Sequence, residues 1–247
     1  MSIPDRALLL GSGLALGIGG LICVVAVLQP ASAPPPAPPP TAARTAAPSQ
    51  PLPAFEPRPG IASLADADWV AGVAADAGIP DRAMAAYAGA ALRLADEQPA
   101  CGLGWNTLAG IGLVESEHGR IDGGAIDADG VAVPAITGIP LTGEGTAAHP
   151  DTDAGALDGD PRWDRAVGPM QFIPQTWADW GADGNADGMV DPQQIDDAAL
   201  AAGRYLCAEG GDLASGAAWL HAVRGYNDSD AYLRRVADAA AQYARFG

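Results

Sequence analysis

A run of prolines divides this chain before anything else can be decided about it. Gln29 to Pro59 is rich in Pro and Ala, with Pro34-Pro35-Pro36-Ala37-Pro38-Pro39-Pro40 at its centre. Proline fixes φ and lacks a backbone donor, so such a stretch builds no packed layer and favours extended polyproline geometry. At about 3.1 Å per residue it is a tether that can hold a domain several tens of ångströms from its starting point. The folding part of the chain therefore lies beyond it, from residue 61 to 247. That segment, about 190 residues, is long enough for one well-buried domain.

The segment before the linker has a different character. Ala7 to Leu28 is apolar and carries no charge. Its length, roughly 22 residues, matches the thickness of a bilayer. Arg6 precedes it, and no further cation follows until Arg44. This asymmetry places the N-terminus inside and the remainder outside. Ala31-Ser32-Ala33 resembles a small-residue cleavage site, the alternative being a removed signal peptide. The length of the run and Pro34 just after the site favour an uncleaved anchor. Ile22 before Cys23 disfavours a lipid anchor, which wants a small residue there.

Charge excludes whole classes of partner. The formal net charge is −17, and every basic residue is Arg. Nucleic acid needs clustered cations to replace its counterions, so it is not an expected partner. Docking onto anionic lipid by charge is excluded on the same ground. Outside the apolar run the cysteines are Cys101 and Cys207, which could pair in an oxidising compartment. There is no internal repeat.

From Ile61 onward the periodicity is helical. Leu64 to Ala77 and Arg82 to Glu97 read as Ala-rich amphipathic helices broken by Gly78-Ile79-Pro80. Pro174 to Trp180, Ile195 to Ala208, Ala214 to Val223 and Ser229 to Phe246 read likewise. Arg120 to Arg162 is a long Gly/Asp-rich stretch with no such period, and loops of that length are often functional. The expected class is mostly α, with room for short sheet in that loop.

One helix carries a candidate for chemistry. Trp105, Leu108, Ile111 and Gly112 recur at three- and four-residue steps and define a face. Glu115 continues the stripe, and Gly119 offers a left-handed cap. The helix thus aims a carboxylate where packing calls for an apolar group. Burial disfavours the charged form, so the acid can stay protonated near neutral pH and donate a proton. Glu117 lies about 200° further round the helix and faces elsewhere.

Other stretches add weaker signals. Gly168-Pro169-Met170-Gln171-Phe172-Ile173-Pro174 is a turn into a helix, and the Gln171 amide both donates and accepts hydrogen bonds, which suits a sugar. Trp163, Trp177 and Trp180 flank it; core packing is the commoner role for such residues, and stacking on a sugar the rarer one. Asp183-Gly184-Asn185-Ala186-Asp187-Gly188-Met189-Val190-Asp191 follows the first nine positions of an EF-hand loop. Asp183, Asn185, Asp187 and the Met189 carbonyl are the expected ligands of a structural Ca2+. Gln194 stands where the bidentate Glu belongs, so Asp196 or Asp197 would supply the last carboxylate of a longer loop. Asp151, Asp153, Asp158 and Asp160 match no metal loop and read as solvated. His118, His149 and His221 are scattered. Tyr226-Asn227 precedes the last helix, and such a Tyr can orient a carboxylic acid. No organic cofactor is expected.

Taken together, these pieces resemble the lytic murein transglycosylases, specifically the membrane-bound transglycosylase B type. The resemblance spans roughly Pro80 to Phe246. It rests on Val114-Glu115-Ser116-Glu117-His118-Gly119, on Ala166-Val167-Gly168-Pro169-Met170-Gln171-Phe172-Ile173-Pro174, on the calcium-like loop with Ile195-Asp196-Asp197-Ala198, and on Tyr226-Asn227. It implies a lysozyme-like helical domain that cleaves the β-1,4 bond between N-acetylmuramic acid and N-acetylglucosamine in peptidoglycan, leaving a 1,6-anhydro product. Glu115 would act as acid and then base. Ser116, Gln171, Tyr226 and Asn227 would serve the substrate side, with Ser116 helping to hold Glu115 and Tyr226 orienting it. An anchored, monomeric enzyme of the cell envelope follows, with a Cys101–Cys207 disulfide. The long loop and the missing terminal Glu of the calcium loop depart from the pattern.

Two other readings compete. A hydrolytic muramidase would need a second carboxylate, for which Asp153 or Asp164 could serve. A non-catalytic peptidoglycan-binding module would have no use for a buried acid. A calcium sensor is disfavoured because the loop has no paired partner.

Overall fold

The computed structural model describes residues 59–247. The expected anchor at 7–28 and nearly all of the linker lie outside the described residues. The described chain is mostly α, with helices α1 (Ala67–Ala77), α2 (Asp81–Glu97), α3 (Trp105–Ser116), α4 (Pro174–Trp180), α5 (Ile195–Gly210), α6 (Gly216–Tyr226) and α7 (Asp230–Tyr243). Among the described residues no helix is long and apolar enough to cross a membrane.

Local chemistry sets most helix ends. Asp66 accepts from the Trp69 N–H at 2.9 Å and caps α1, which stops at Gly78 in the left-handed region. Pro80 precedes α2, and its fixed φ starts the next turn without a side-chain cap. Gln194 caps α5 by accepting from the Asp196 and Asp197 N–H groups. Ser229 caps α7.

Helix α3 is the core of the fold. It packs most extensively on α7, while α2 packs on α5 and α5 on α6. Every residue from Trp105 to Gly112 is buried, including Asn106 and Thr107. The single apolar stripe expected from its sequence is therefore too narrow a description: α3 is covered on all sides. Thr107 Oγ1 accepts from Trp219 Nε1 at 3.0 Å, and Asn106 Nδ2 donates to the Ala240 carbonyl at 3.1 Å. Gly112 is where the Tyr87 phenol enters, and a Cβ there would stand 2.0 Å from its oxygen. The Cys101–Cys207 disulfide, with Cα atoms 5.3 Å apart, ties the α2–α3 connection to α5.

The long stretch after α3 is folded, not open coil. Strand β1 (Ala125–Ile126) pairs antiparallel with β2 (Ala132–Val133), with Ala125 opposite Val133. Strand β3 (Thr137–Pro140) pairs antiparallel with β4 (Arg165–Val167), Thr137 opposite Val167 and Pro140 opposite Arg165. Strand β4 leads straight into the Gly168 turn, so this second sheet sets the turn's position.

The acidic run inside the stretch corrects its reading as solvated. Asp164 is fully buried and accepts from the Thr152 N–H at 2.9 Å and the Thr152 hydroxyl at 2.8 Å. Asp153 accepts from the Ala156 and Leu157 N–H groups, and Asp158 from those of Asp160 and Arg165. Asp160 pairs with Arg165 at 3.0 Å. Short carboxylates that satisfy nearby N–H groups build turns, and that is what this run does.

Candidate active site

Glu115 lies in the last turn of α3, partly shielded from solvent. Helix α3 then ends more abruptly than Gly119 alone would make it. Glu117, His118 and Gly119 all have positive φ, at 53°, 61° and 82°, so the left-handed cap begins two residues earlier than expected. His118 fixes that reversal. Its ring is fully buried, with Nε2 2.9 Å from the Tyr243 hydroxyl and Nδ1 3.3 Å from that of Tyr87. Burial, aided by the charge of Arg120, holds its pKa down to about 3, so the ring stays neutral.

The Glu115 carboxyl is raised from 4.5 to about 7, chiefly by burial. Two groups oppose the rise. The Tyr232 hydroxyl, on the first turn of α7, donates to Oε1 at 2.6 Å, and the positive charge of Arg235 favours the carboxylate. A carboxylic acid poised near neutral pH is the outcome. Tyr232 of α7 lies directly against it.

Ser116, next to it, is a strut. Its hydroxyl donates to the Pro169 carbonyl at 2.6 Å and accepts from the Gly119 N–H at 2.8 Å. Buried, and with its oxygen committed on both sides, Ser116 supports the Glu115 turn, in keeping with the holding role expected of it.

The other end of that strut is the Gly168-Pro169-Met170-Gln171 turn. Gly168 has φ 76°, and a Cβ there would lie 1.7 Å from the Pro192 carbonyl, so only glycine can stand at this crossing. The Tyr226 hydroxyl donates to the Met170 carbonyl at 2.8 Å. Two residues from different helices, Ser116 and Tyr226, thus hold successive carbonyls of one turn. The orienting bond expected of Tyr226 is made by Tyr232. Tyr226 still lies close enough to feel the Glu115 charge, which adds to burial in raising its own pKa.

Gln171 adopts φ 50°, and its Nε2 donates to the Gly168 carbonyl at 2.9 Å. Its Oε1 lies beside Gly138 of β3, so the second sheet borders it. Asn227 is exposed and turns its Oδ1 to the Ser229 N–H at 3.2 Å. Trp177 is a core residue stacked edge-on to Phe172 at 5.2 Å. Phe172 and Tyr205 pack edge-on against Tyr226, at 5.8 and 5.7 Å, and Trp180 continues the array against Tyr205.

Asp153 and Asp164, the residues considered for a second carboxylate, are committed to their own turns. Their oxygens and those of Asp151 lie within 4.8 Å of one another. The groups that act on Glu115 are Tyr232 and Arg235.

The calcium-like loop is closed by its own side chains. Asp183 accepts from the Gly188 N–H at 3.0 Å and from that of Asp187 at 3.2 Å, and Asp187 accepts from the Met189 N–H at 2.7 Å. Asp196 and Asp197 are held differently. Asp196 turns away to an ion pair with Arg82. Asp197 is buried and reaches back to accept from the Gly184, Asn185 and Asp191 N–H groups. Gln194 is not a ligand at the twelfth position, because its side chain caps α5 and donates to Asp129 and Asp196. Burial holds the Asp197 carboxyl up to about 6, and the nearby Asp183 charge adds to the rise. Asp183, Asn185, Asp187 and Asp197 offer oxygens of the kind Ca2+ takes, but the acids whose ligand atoms lie within 4.8 Å of one another among the described residues are Asp151, Asp153 and Asp164.

Two residues at the site escape a reading of the sequence: Tyr232 and Arg235. The faint signal for Tyr232 is an aromatic with a polar tip on the buried face of the last helix. Comparison of the chain with protein-family models, with curated proteins and with solved structures finds no match.

Proposed function

We propose that this chain is a lytic transglycosylase that cleaves the β-1,4 bond between N-acetylmuramic acid and N-acetylglucosamine in peptidoglycan, on a lysozyme-like helical domain. The observation that carries this reading is the convergence on Glu115. A shielded acid near neutral pKa is held by Tyr232, and its helix end is strutted through Ser116 to the turn that bears Gln171. The sequence resemblance, drawn from stretches far apart in the chain, supports the same reading.

The proposed chemistry uses Glu115 twice. Tyr232 occupies Oε1, which leaves Oε2 to carry the proton. Glu115 gives that proton to the glycosidic oxygen as the bond to the muramic anomeric carbon breaks. The resulting carboxylate takes the proton of the muramic 6-hydroxyl, whose oxygen closes on the same carbon. Glu115 ends protonated, ready for another turnover. The attacking hydroxyl is already tethered to the sugar, so one carboxylate suffices where hydrolases use two. Gln171 offers its amide oxygen to the sugar beside the cleaved bond. Asp183, Asn185, Asp187, the Met189 carbonyl and Asp197 would hold a structural Ca2+, whose contribution is to clamp the loop after α4. The apolar N-terminal segment and the linker support a location in the cell envelope, outside the cytoplasmic membrane, where we take the enzyme to act as a monomer.

Digestion of purified peptidoglycan, with products weighed by mass spectrometry, tests the reading. Anhydro products lighter by one water than reducing muropeptides, absent with Glu115→Gln, are expected. Reducing ends would make the chain a hydrolase, and folded protein that binds sacculi but releases nothing would make it a binding module.

A further inference from the structure

One buried ionisable side chain close to Glu115 takes no part in the proposed chemistry. His118 is fully buried, three residues after Glu115 and just past the end of α3. Its backbone N–H still bonds to the Gly112 carbonyl at 2.9 Å, while the left-handed angles of Glu117, His118 and Gly119 reverse the chain. Gly112 has no Cβ to block the Tyr87 phenol of α2, which lies 3.3 Å from Nδ1 of the ring. On the opposite edge, Nε2 meets the hydroxyl of Tyr243, the last residue of α7, at 2.9 Å. A neutral imidazole carries one N–H and one bare nitrogen on a rigid ring, so it donates to one tyrosine and accepts from the other. Burial and the charge of Arg120 keep the ring in that neutral form. Non-glycine residues in the left-handed region are strained, and they persist where the surroundings enforce them. Around this reversal Arg120 donates to the Glu117 carbonyl at 3.0 Å and to the Gly78 carbonyl at 3.2 Å, and Ser116 takes the Gly119 N–H. The His118 ring adds a link between α2 and α7, and α7 carries the Tyr232 hydroxyl that holds Glu115.

We infer that His118 is a positioning residue: by bridging Tyr87 and Tyr243 it holds the left-handed reversal that aims the Glu115 carboxyl at Tyr232. Its effect on cleavage rests on the proposed role of Glu115 as proton donor, whereas its effect on the carboxyl itself can be read without substrate. Histidine suits the place because it offers a donor and an acceptor on opposite edges of one flat ring. Phenylalanine would fill the same space and join neither tyrosine. Glutamine would bring an amide to the Nε2 edge and reach one of them.

The test uses the full chain, with His118→Phe and His118→Gln beside the wild type. The Glu115 carboxyl is followed by its 13C shift across pH, and cleavage of purified peptidoglycan is followed separately. In His118→Phe the carboxyl should titrate about one unit below its present value of about 7, because a loosened turn admits water to a group that burial now protects. On peptidoglycan kcat should fall roughly 10- to 100-fold with KM changed far less, as for a misplaced reacting group. His118→Gln should recover part of both effects. Tyr87→Phe and Tyr243→Phe each remove one hydroxyl of the bridge and carry the same measurements where His118→Phe does not fold. Folded variants that lose stability in urea yet keep the wild-type Glu115 titration and kcat would overturn the inference, leaving the bridge a structural one. Wild-type protein that cleaves no peptidoglycan, while its Glu115 carboxyl still responds to the loss of His118, would overturn the transglycosylase reading and uphold the positioning role.

Discussion

Glu115→Gln should make the protein more stable while abolishing its activity. The folded state holds this carboxyl at about 7 instead of 4.5. Between those values the unfolded chain has released the proton and the folded chain has not, so stability falls as pH rises through that window. Above it the full penalty applies. At about 1.4 kcal/mol per pH unit, the penalty is on the order of 3 kcal/mol. Glutamine keeps the shape and an oxygen for Tyr232, and it never ionises. At pH 8 the variant should be more stable by about that amount, or roughly 6–12 °C in Tm for a domain of this size. At pH 4 the two proteins should coincide, because Glu115 is protonated in both states. Urea denaturation at the two pH values, with equal m-values as a control, measures the difference. Equal stabilities at pH 8 would show that the acid is not held in its protonated form, and the proton-donor argument would fall with it.

Removing the donor that favours the carboxylate gives a second test. Tyr232→Phe should push the Glu115 pKa above its present value, so the loss of activity on raising pH should occur at more alkaline pH; pH–rate profiles of the two proteins would show this. Ser116→Ala leaves the buried Pro169 carbonyl and Gly119 N–H without their partner, and should cost about 1–3 kcal/mol in urea denaturation along with a fall in kcat. Calcium should raise the Tm of the wild type at pH 7 and leave that of Asp183→Asn or Asp197→Asn nearly unchanged, as read by calorimetry with and without chelator.

Much of the helix order can be read directly from the chain, and particular residues show why. Pro174 to Trp180 has the same bounds in sequence and in structure, because Pro174 begins the helix and Gly181 ends it. Glu115 stands out because a carboxylate interrupts apolar spacing. The Tyr232–Glu115 bond is not legible, since it joins residues 117 apart and depends on how α7 lies on α3. The same holds for Ser116, whose role depends on the Pro169 carbonyl, 53 residues away. The aspartates of the 151–164 stretch read as a solvated run because composition alone does not reveal that each accepts from a neighbouring N–H. Gln194 illustrates the converse error: motif spacing makes it a metal position, and the helix that starts there claims its side chain.

The Cys101–Cys207 bond has a topological consequence. It closes a covalent ring of 106 intervening steps of chain that contains Glu115, Gln171 and the whole Gly/Asp-rich stretch between α3 and β4. A protease that cuts that stretch once opens the ring but releases no piece, because the two halves stay joined through sulfur. Ser116–Pro169 and Tyr232–Glu115 can then keep both halves in register. A chain with this crosslink would survive a nick in its longest connection, and would come apart at the same nick after reduction.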